Sequence, residues 1–332
     1  MPGLYADDFV EQLRLGAKAV ASDWGLSERT DVELLTLSEN ATFLARDPEQ
    51  PEPIILRVHR PGYHSRAEIE SELDWITALR SDRVVDIPAI LTRDDGNRIG
   101  AFQHGGETRN VVAFAFKPGR EPDPESDLAD GFRELGAISA RLHQHARTWR
   151  APDGFQRKTW NFETAFGTSP LWGDWRAALG LTEDGRRLLE RLAETLERRC
   201  AAYGTAPDRF GLVHADLRLA NLLVYGTDIS VIDFDDCGFS WFVYDFAAAI
   251  SFLETSPTIP ALQAAWIEGY RTVAELGPEH VEMFPTFILF RRLLLTAWIA
   301  SHAETETAEW AGHARFTDGT LDLAERYLAD QS

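Results

Sequence analysis

The sequence is poor in cysteine and in positive charge. Only two cysteines, Cys200 and Cys237, occur in 332 residues. A disulfide framework is therefore not expected, and a reducing cytoplasm is the expected location. The 33 Lys and Arg residues are outnumbered by 53 Asp and Glu, which gives a net charge of −20. Because that charge repels phosphate backbones and anionic lipid, it argues against nucleic-acid and membrane partners.

Long apolar runs and several common motifs are also missing. No uninterrupted apolar stretch reaches the roughly 18 residues that cross a bilayer. Residues 1–8 have neither the basic start nor the apolar centre of a signal peptide. The sequence contains no G-x-x-x-x-G-K-[ST] loop, no G-x-G-x-x-G after a strand and no zinc-ligand spacing. P-loop, dinucleotide-binding and zinc enzymes are thus excluded.

The predicted secondary structure changes along the chain from mainly strands to mainly helices. Hydrophobic residues make up 44%, including ten Trp and nineteen Phe, which is typical of a globular protein. Residue patterns predict strands at 32–37, 41–46, 54–58, 88–93, 98–103 and 111–116. Helical periodicity is found at 7–24, 65–80, 127–148, 183–203, 260–276, 283–302 and 317–329. A strand-rich domain, 1–117, is therefore predicted to precede a helical domain, 118–332.

A β-rich island at 211–233 interrupts the helical half and carries the most suggestive chemistry. It reads His-Ala-Asp-Leu-Arg-Leu-Ala-Asn at 214–221 and Ile-Asp-Phe-Asp-Asp at 232–236. Phosphoryl transfer needs a carboxylate for the acceptor hydroxyl and oxygen ligands for magnesium. Asp216 supplies the first, and a predicted hairpin would bring Asn221 and Asp233 together as the second.

These strings resemble a known family. Residues 214–221 resemble the catalytic loop of the protein-kinase-like superfamily, most of all its aminoglycoside phosphotransferase and choline kinase branch. Within that branch they are similar to the group with stress-response kinase A, type II homoserine kinase and hydroxylysine kinase. The resemblance implies an α+β, bilobal protein-kinase-like fold, with a small antiparallel-sheet N-lobe and a larger, mainly helical C-lobe. It also implies an ATP- and Mg2+-dependent kinase.

The resemblance assigns roles to the catalytic loop. Asp216 would accept or orient the proton of the substrate hydroxyl, and Arg218 would contact the transferring phosphate. Asn221 and Asp233 would bind the Mg2+ that bridges the ATP phosphates.

Four further residues of this region receive less direct roles. His214 and Asp245 would brace the loop rather than react. Asp235 and Asp236 would help the metal, face a cationic substrate, or simply be solvated loop carboxylates.

The N-terminal half carries a looser resemblance. The turn with Ser38 and Asn40 resembles the phosphate-covering turn of the branch, whose backbone N–H groups would reach the phosphates; an ordinary hairpin turn is the alternative. Arg57 stands where the family has the phosphate-pairing Lys, and an arginine can keep that role. Its carboxylate partner is predicted to be Glu72, with Glu68 as the fallback.

Residues 114–119 resemble the hinge that binds adenine. Backbone groups of Ala115 and Lys117 would hydrogen-bond to the base. Phe114 and Phe116 are equally well explained as core residues.

The acceptor is predicted to be a small molecule with a hydroxyl group, such as an amino acid, amino alcohol or aminoglycoside. Arg291 and Arg292 could hold a substrate carboxylate or pair with an acidic loop. Carboxylates that could bind an amine, although a solvated helix face explains most of them, are Glu254, Glu268, Glu304, Glu306 and Glu309. A protein Ser/Thr kinase similar to stress-response kinase A is the alternative within the enzymes. A nucleotide-binding pseudokinase or adaptor is the second alternative, favoured only by Arg57.

Overall fold

The computed structural model describes residues 7–331, and within them the chain forms two compact units. The first unit contains the chain up to Arg120 together with Arg150–Arg157 and Leu223–Asp235. The second contains Glu121–Trp149, Lys158–Leu222 and the chain from Asp236 onward. A single predicted boundary at Lys117 does not describe the two later segments that join the first unit. The expectation that no signal peptide is present concerns residues that lie largely outside the described range.

An antiparallel sheet of six strands organises the first unit. Its helices and strands are, in chain order, α1 (Asp7–Val20), β1 (Asp31–Leu37), β2 (Ala41–Arg46), β3 (Ile54–Val58), α2 (Arg66–Ser81), β4 (Ile90–Leu91), β5 (Ile99–His104) and β6 (Glu107–Ala115). The strand order is β1-β2-β3-β6-β4, and β5 also pairs with β6. In this register Arg57 lies opposite Thr42 on one side and Val112 on the other. Arg57 therefore sits on a central strand of the sheet.

Helix α2 has a well-defined start and a buried face. The Ser65 side chain accepts a hydrogen bond from the Glu68 N–H, and the Glu68 carboxylate accepts one from the Ser65 N–H. Such a capping box satisfies two backbone donors at the helix start. Ile69, Glu72 and Leu73 face the interior. Helical periodicity thus places Glu72 inside, while Glu68 is used for capping.

The second unit is mainly helical. Its helices and strands are α3 (Ala129–Thr148), α4 (Phe162–Phe166), α5 (Glu183–Tyr203), β7 (Phe210–Val213), β10 (Gly238–Trp241), α6 (Tyr244–Ala249), α7 (Ile259–Arg271), α8 (Pro278–Val281), α9 (Phe284–Ser301), α10 (Glu306–Ala311) and α11 (His313–Asp330). The hairpin strands β8 (Leu222–Tyr225) and β9 (Asp228–Val231) fall between β7 and β10 in the chain and lie almost entirely in the first unit. Among the described residues one segment, Pro278–Ser301, is long and apolar enough to cross a membrane by length and composition. Its most apolar window is 89% buried inside the fold. It is therefore packed as the core helix of this unit.

Helices α3 and α7 approach each other at backbone contact. A Cβ on Gly136 would lie 2.0 Å from the carbonyl oxygen of Trp266, and one on Gly269 would lie 1.7 Å from that of Arg133. Real Cβ atoms do not come so close, so this helix pair needs glycine at both positions.

The β-rich island forms two separate two-stranded sheets. Strand β7 pairs antiparallel with β10, and β8 pairs with β9. The predicted hairpin is present, with its turn at Gly226, which has the positive φ of 64° that favours glycine. Asp216 and Asn221 lie in the connection between β7 and β8, and Asp233 lies two residues beyond the end of β9.

Candidate active site

The carboxylate of Asp216 is held by three donors from the second unit. Its Oδ1 accepts from Nη2 of Arg291 at 2.5 Å. Its Oδ2 accepts from Nδ2 of Asn221 at 2.7 Å and from Nε of Arg218 at 3.2 Å. Because donors approach both oxygens, the carboxylate has one fixed orientation.

Asn221 is oriented by the same loop. Its side-chain nitrogen also donates to the backbone carbonyl of Asp216 at 2.8 Å. Because the amide hydrogens are directed at Asp216, Oδ1 is the atom of Asn221 that suits a metal ion. An amide oxygen is a ligand that Mg2+ and Ca2+ accept.

Asp245 braces the loop from beneath. This fully buried carboxylate accepts from the N–H of Ala215 at 2.8 Å and lies 2.9 Å from Nε2 of His143. Burial lowers the pKa of His143, and the contact with Asp245 opposes that shift. Ala215 has a φ of 66°, which is strained for an alanine and needs such support. His214 completes the brace, since its Nδ1 accepts from the N–H of Asp216 at 3.3 Å.

The first unit contains the Arg57–Glu72 ion pair that was predicted. Nη2 of Arg57 donates to both Glu72 oxygens, at 2.6 and 2.8 Å, and both side chains are buried. Nη1 lies 3.3 Å from the Asp233 carboxylate. Burial opposes the charged guanidinium, but Glu72, Asp235 and Asp233 raise the pKa of Arg57. Burial raises the pKa of Glu72, and Arg57 opposes that shift. The two short contacts show that Glu72, and not Glu68, is the partner.

Two acids of one string, Asp233 and Asp235, have opposite environments. The Asp233 side chain is 44% exposed and its backbone has a φ of 58°, which aspartate tolerates better than most residues. The Asp235 side chain is 7% exposed. Asp233 is thus the member of the string that a ligand in solution can reach.

Asp235 is surrounded by side chains of the first unit. It accepts from Nδ2 of Asn40 at 2.8 Å, and ring nitrogens of His59 and His64 lie at 3.5 Å. Burial alone would raise the pKa of Asp235, but His64 and Arg57 hold it well below its usual range. The interpretation of Asp235 as a solvated carboxylate is corrected here, because four side chains enclose it.

The turn between β1 and β2 is closed by its own hydrogen bonds. The N–H of Ser38 donates to the carbonyl of Asn40 at 3.0 Å, and Oδ1 of Asn40 accepts from the N–H of Arg60 at 3.2 Å. The side chain of Asn40 is therefore used internally. Phosphate binding by the remaining backbone N–H groups of this turn stays a prediction.

The end of β6 is fixed at the predicted hinge. The N–H of Ala115 donates to the carbonyl of Ala89 at 2.8 Å. The carbonyl of Ala115 is therefore the backbone group that we expect to bind adenine. Nζ of Lys117 contacts the carboxylate of Asp86 at 2.5 Å. Phe114 packs against a buried cluster, whereas Phe116 is partly exposed. The interpretation as a core residue therefore fits Phe114 better than Phe116.

Asp236 belongs to the second unit and is half-buried. Burial raises the pKa of Tyr244, and the charges of Asp216 and Asp236 add to that shift. Burial disfavours the charge of Arg291, whereas Tyr244, Asp216 and Asp236 raise its pKa. Asp236 therefore lies in the same electrostatic environment as Asp216. Its proposed contact with a cationic substrate stays a prediction.

Residues 32–279 match the phosphotransferase enzyme family, a range that covers more than half of the chain and includes Arg57, Asp216 and Asp245. The chain belongs to this family. A solved structure described as that of the microcompartment-associated aminopropanol kinase is 44% identical to this phosphotransferase. It covers 95% of this chain and 97% of its own, with a TM-score of 0.87.

Two more distant matches also extend over most of the chain. Amicoumacin kinase of Bacillus subtilis (strain 168) is 24% identical over 287 residues, which are 83% of this chain and 81% of the relative. A structure of amicoumacin kinase hAmiN in complex with AMP-PNP, Ca2+ and Ami is 22% identical and covers 94% of this chain and 95% of its own, with a TM-score of 0.75. At that identity the structural likeness shows the fold alone.

The predicted family, the mixed fold class and the kinase activity are thereby confirmed. This phosphotransferase is an ATP-dependent kinase whose acceptor is a hydroxyl group of a small molecule.

A divalent cation fits the residues of this phosphotransferase. The described residues include no cluster of three or more His, Cys, Asp or Glu that could hold a metal. Mg2+ in phosphoryl-transfer enzymes usually has one or two protein ligands and takes its other ligands from phosphate and water. Asn221 in the second unit offers an amide oxygen, and Asp233 in the first unit offers an exposed carboxylate. Their binding of one ion stays a prediction.

Sequence reasoning did not identify Asp216 as the partner of Arg291 in this phosphotransferase. It left open a substrate carboxylate or an acidic loop as the partner of Arg291 and Arg292, and the structure shows that both pair internally. Arg291 contacts Asp216, and Arg292 donates to Glu254 at 2.8 Å. The available signal was two adjacent arginines inside an apolar helix, since buried charges are found paired.

Ion pairs and solvent exposure also account for most of the glutamates that the sequence suggested for amine binding. Glu254 is buried against Arg292, and Glu268 lies 3.1 Å from Arg133. Glu304 and Glu309 are exposed, as on a solvated helix face, and the side chain of Glu306 lies outside the described residues.

Proposed function

We propose that this enzyme phosphorylates the hydroxyl group of a small amino alcohol, with ATP as donor and Mg2+ as the metal. The observation that carries the substrate class is the 44% identity, along 95% of the chain, to the aminopropanol kinase. The net charge of −20 fits a substrate that carries an ammonium group, because it raises the local concentration of cations.

The contacts of Asp216 and of Arg57 support the following residue roles. Asp216 orients the acceptor hydroxyl, and Arg218 contacts the transferring phosphoryl group. Arg57, held by Glu72, pairs with the ATP phosphates. These positions supply what phosphoryl transfer requires of a protein, which is mainly alignment and charge stabilisation.

The remaining ligands complete the nucleotide site. Mg2+, when bound to Asn221 and Asp233, would neutralise charge on the phosphates. The carbonyl of Ala115 and the backbone of Lys117 would bind adenine. We further propose a cytoplasmic location, where ATP is available and the two thiols, both free and buried, stay reduced.

The test is a coupled assay of ADP release with a matched panel of acceptors. 1-Amino-2-propanol and ethanolamine should stimulate ADP release, whereas 1-propanol and 1-aminopropane, which lack one of the two groups, should not. Asp216→Asn should abolish turnover yet keep its affinity for ATP, and EDTA should stop the reaction until Mg2+ is restored. Labelling of added proteins without turnover of any amino alcohol would support the protein-kinase alternative. No ATP turnover by the wild type would support the adaptor alternative.

Further members of the panel address an antibiotic acceptor. Amicoumacin is included because one relative of lower identity is an amicoumacin kinase. An aminoglycoside is included because the catalytic-loop sequence resembles the aminoglycoside phosphotransferase branch. Faster turnover of either compound than of every amino alcohol would reject the proposed substrate class.

A further inference from the structure

Arg291 occupies the centre of a buried polar cluster around the loop of Asp216. Besides its 2.5 Å contact with Asp216, its Nη1 donates to the hydroxyl of Tyr244 at 3.1 Å and its Nε to the hydroxyl of Ser251 at 3.0 Å. The ring of Trp172 covers the guanidinium, with its centroid 5.0 Å from Cζ. The arginine therefore has little freedom to move.

The same side chain also touches the strained residue of the loop. Nη1 of Arg291 lies 3.4 Å from the carbonyl oxygen of Ala215, the residue with a φ of 66°. Burial disfavours its charge, but Tyr244 and Asp216 outweigh this and raise the pKa of Arg291. A permanent cation thus contacts two consecutive residues of the loop.

The hydrogen-bonding capacity of the two Asp216 oxygens shows how the contact with Arg291 affects the acceptor hydroxyl. A carboxylate oxygen accepts about two hydrogen bonds. Oδ2 of Asp216 already accepts from Asn221 and Arg218, whereas Oδ1 accepts from Arg291 alone. One acceptor direction, on Oδ1, is left for an incoming hydroxyl, and the guanidinium on the same oxygen determines where it points.

We propose that Arg291 is a positioning residue for phosphoryl transfer: it fixes Asp216 so that Oδ1 receives the hydrogen bond of the acceptor hydroxyl. This inference rests on the proposed function, because it assumes that Asp216 meets the acceptor. Two guanidinium groups and an amide hold the carboxylate of Asp216, so we assign it a role in aligning the acceptor. Such a role suits a loose transition state, in which the acceptor hydroxyl needs little activation.

The neighbouring Arg292 supplies a matched control. It lies on the same helix, is 3% exposed against 2% for Arg291, and also forms a buried ion pair. Its partners are Glu254, Thr320 and the carbonyl of Phe316, none of which belongs to the loop of Asp216. The two arginines thus make similar contributions to packing, and only one contacts the site.

The test compares kcat and KM for Arg291→Ala, Arg291→Lys, Arg292→Ala and Arg292→Lys with an amino alcohol and ATP. We expect Arg291→Ala to lower kcat about 100-fold, the effect of a misplaced catalytic group, with little change in KM for ATP. Arg291→Lys should recover part of the rate. Guanidinium chloride, added well below unfolding concentrations, should restore part of kcat in Arg291→Ala and none in Arg292→Ala.

Several results would overturn the proposal. One is a wild-type kcat in Arg291→Ala. Another is a loss equal to that of Arg292→Ala that follows the folded fraction and resists guanidinium. If Arg291→Ala does not fold, Arg291→Lys decides: an unchanged kcat refutes the role, and a lower kcat at constant KM for ATP supports it. An inactive wild type refutes the proposed function and this inference together, whereas an active wild type with unaffected Arg291 variants refutes this inference alone.

Discussion

The buried pair of Arg57 and Glu72 gives a quantitative test of how the first unit is held together. The substitution Glu72→Gln removes one negative charge and changes the side-chain volume very little. Arg57 would keep two acidic neighbours, Asp233 at 3.3 Å and Asp235 at 4.0 Å. Its guanidinium would lose the bidentate contact that now fixes it on β3.

The expected cost follows from the burial of both partners. Removing one member of a buried ion pair typically costs about 3–5 kcal/mol, because the other charge is left uncompensated. Since Asp233 and Asp235 still compensate Arg57 in part, we expect the lower end, about 3 kcal/mol. That value corresponds to a change of about two orders of magnitude in the ratio of folded to unfolded protein.

Urea denaturation followed by circular dichroism measures this loss, and titration with a fluorescent ATP analogue measures nucleotide affinity in the same variants. Glu70→Gln is the matched control, since Glu70 lies on the same helix and pairs with Arg98 at 2.8 Å, but both side chains are partly exposed. Exposed pairs contribute little, so the midpoint of this variant should stay near the wild-type value.

Equal midpoints for Glu72→Gln and Glu70→Gln would refute the reasoning. Such a result would mean that the desolvation of the two charges cancels their attraction. A normal midpoint with weaker ATP binding would instead assign the pair to nucleotide binding alone.

Three further predictions concern packing, acid stability and thiols. Gly136→Ala should lower the free energy of unfolding by about 1–3 kcal/mol through its backbone clash, whereas Gly131→Ala, with open space at its Cβ, should not; denaturation midpoints compare the two. Burial lowers the pKa of His59 to about 3, so below about pH 6.5 the unfolded chain binds a proton that the folded one does not. The stability from this histidine is therefore present above pH 6.5 and is lost as the pH falls, and His59→Gln should shift the acid-denaturation midpoint to lower pH. Burial raises the pKa of Cys200 to about 12, and Cys237 is buried too, so a thiol reagent should label both only after unfolding.

The secondary structure of the first unit was predictable because its strands are short, β-branched and separated by strong turn residues. The three prolines between Arg46 and Ile54 fall in the loop between β2 and β3, as a missing ladder donor requires. The strand predicted at 88–93 is reduced to Ile90–Leu91. Local pattern cannot set that length, because a strand ends where its neighbour stops pairing.

The sequence predicted which residue types form the site, but it did not predict how buried each residue is or what surrounds it. Asp233 and Asp235 have the same side chain and lie two residues apart, yet one is exposed and the other enclosed. The difference comes from His59, His64 and Asn40, which the sheet of the first unit brings from distant positions. Sequence spacing carries no information about such partners.

The buried charges show the same limit of sequence-based prediction. In a chain with a net charge of −20, each buried arginine of the central strand and of the core helix has an acid within 2.8 Å: Arg57 has Glu72, Arg291 has Asp216 and Arg292 has Glu254. Burial forces this pairing whatever the function, because a desolvated lone charge is unstable. The pairing itself therefore indicates no activity. What distinguishes Arg291 is that its partner is the predicted catalytic carboxylate, and only the tertiary structure could reveal that choice of partner.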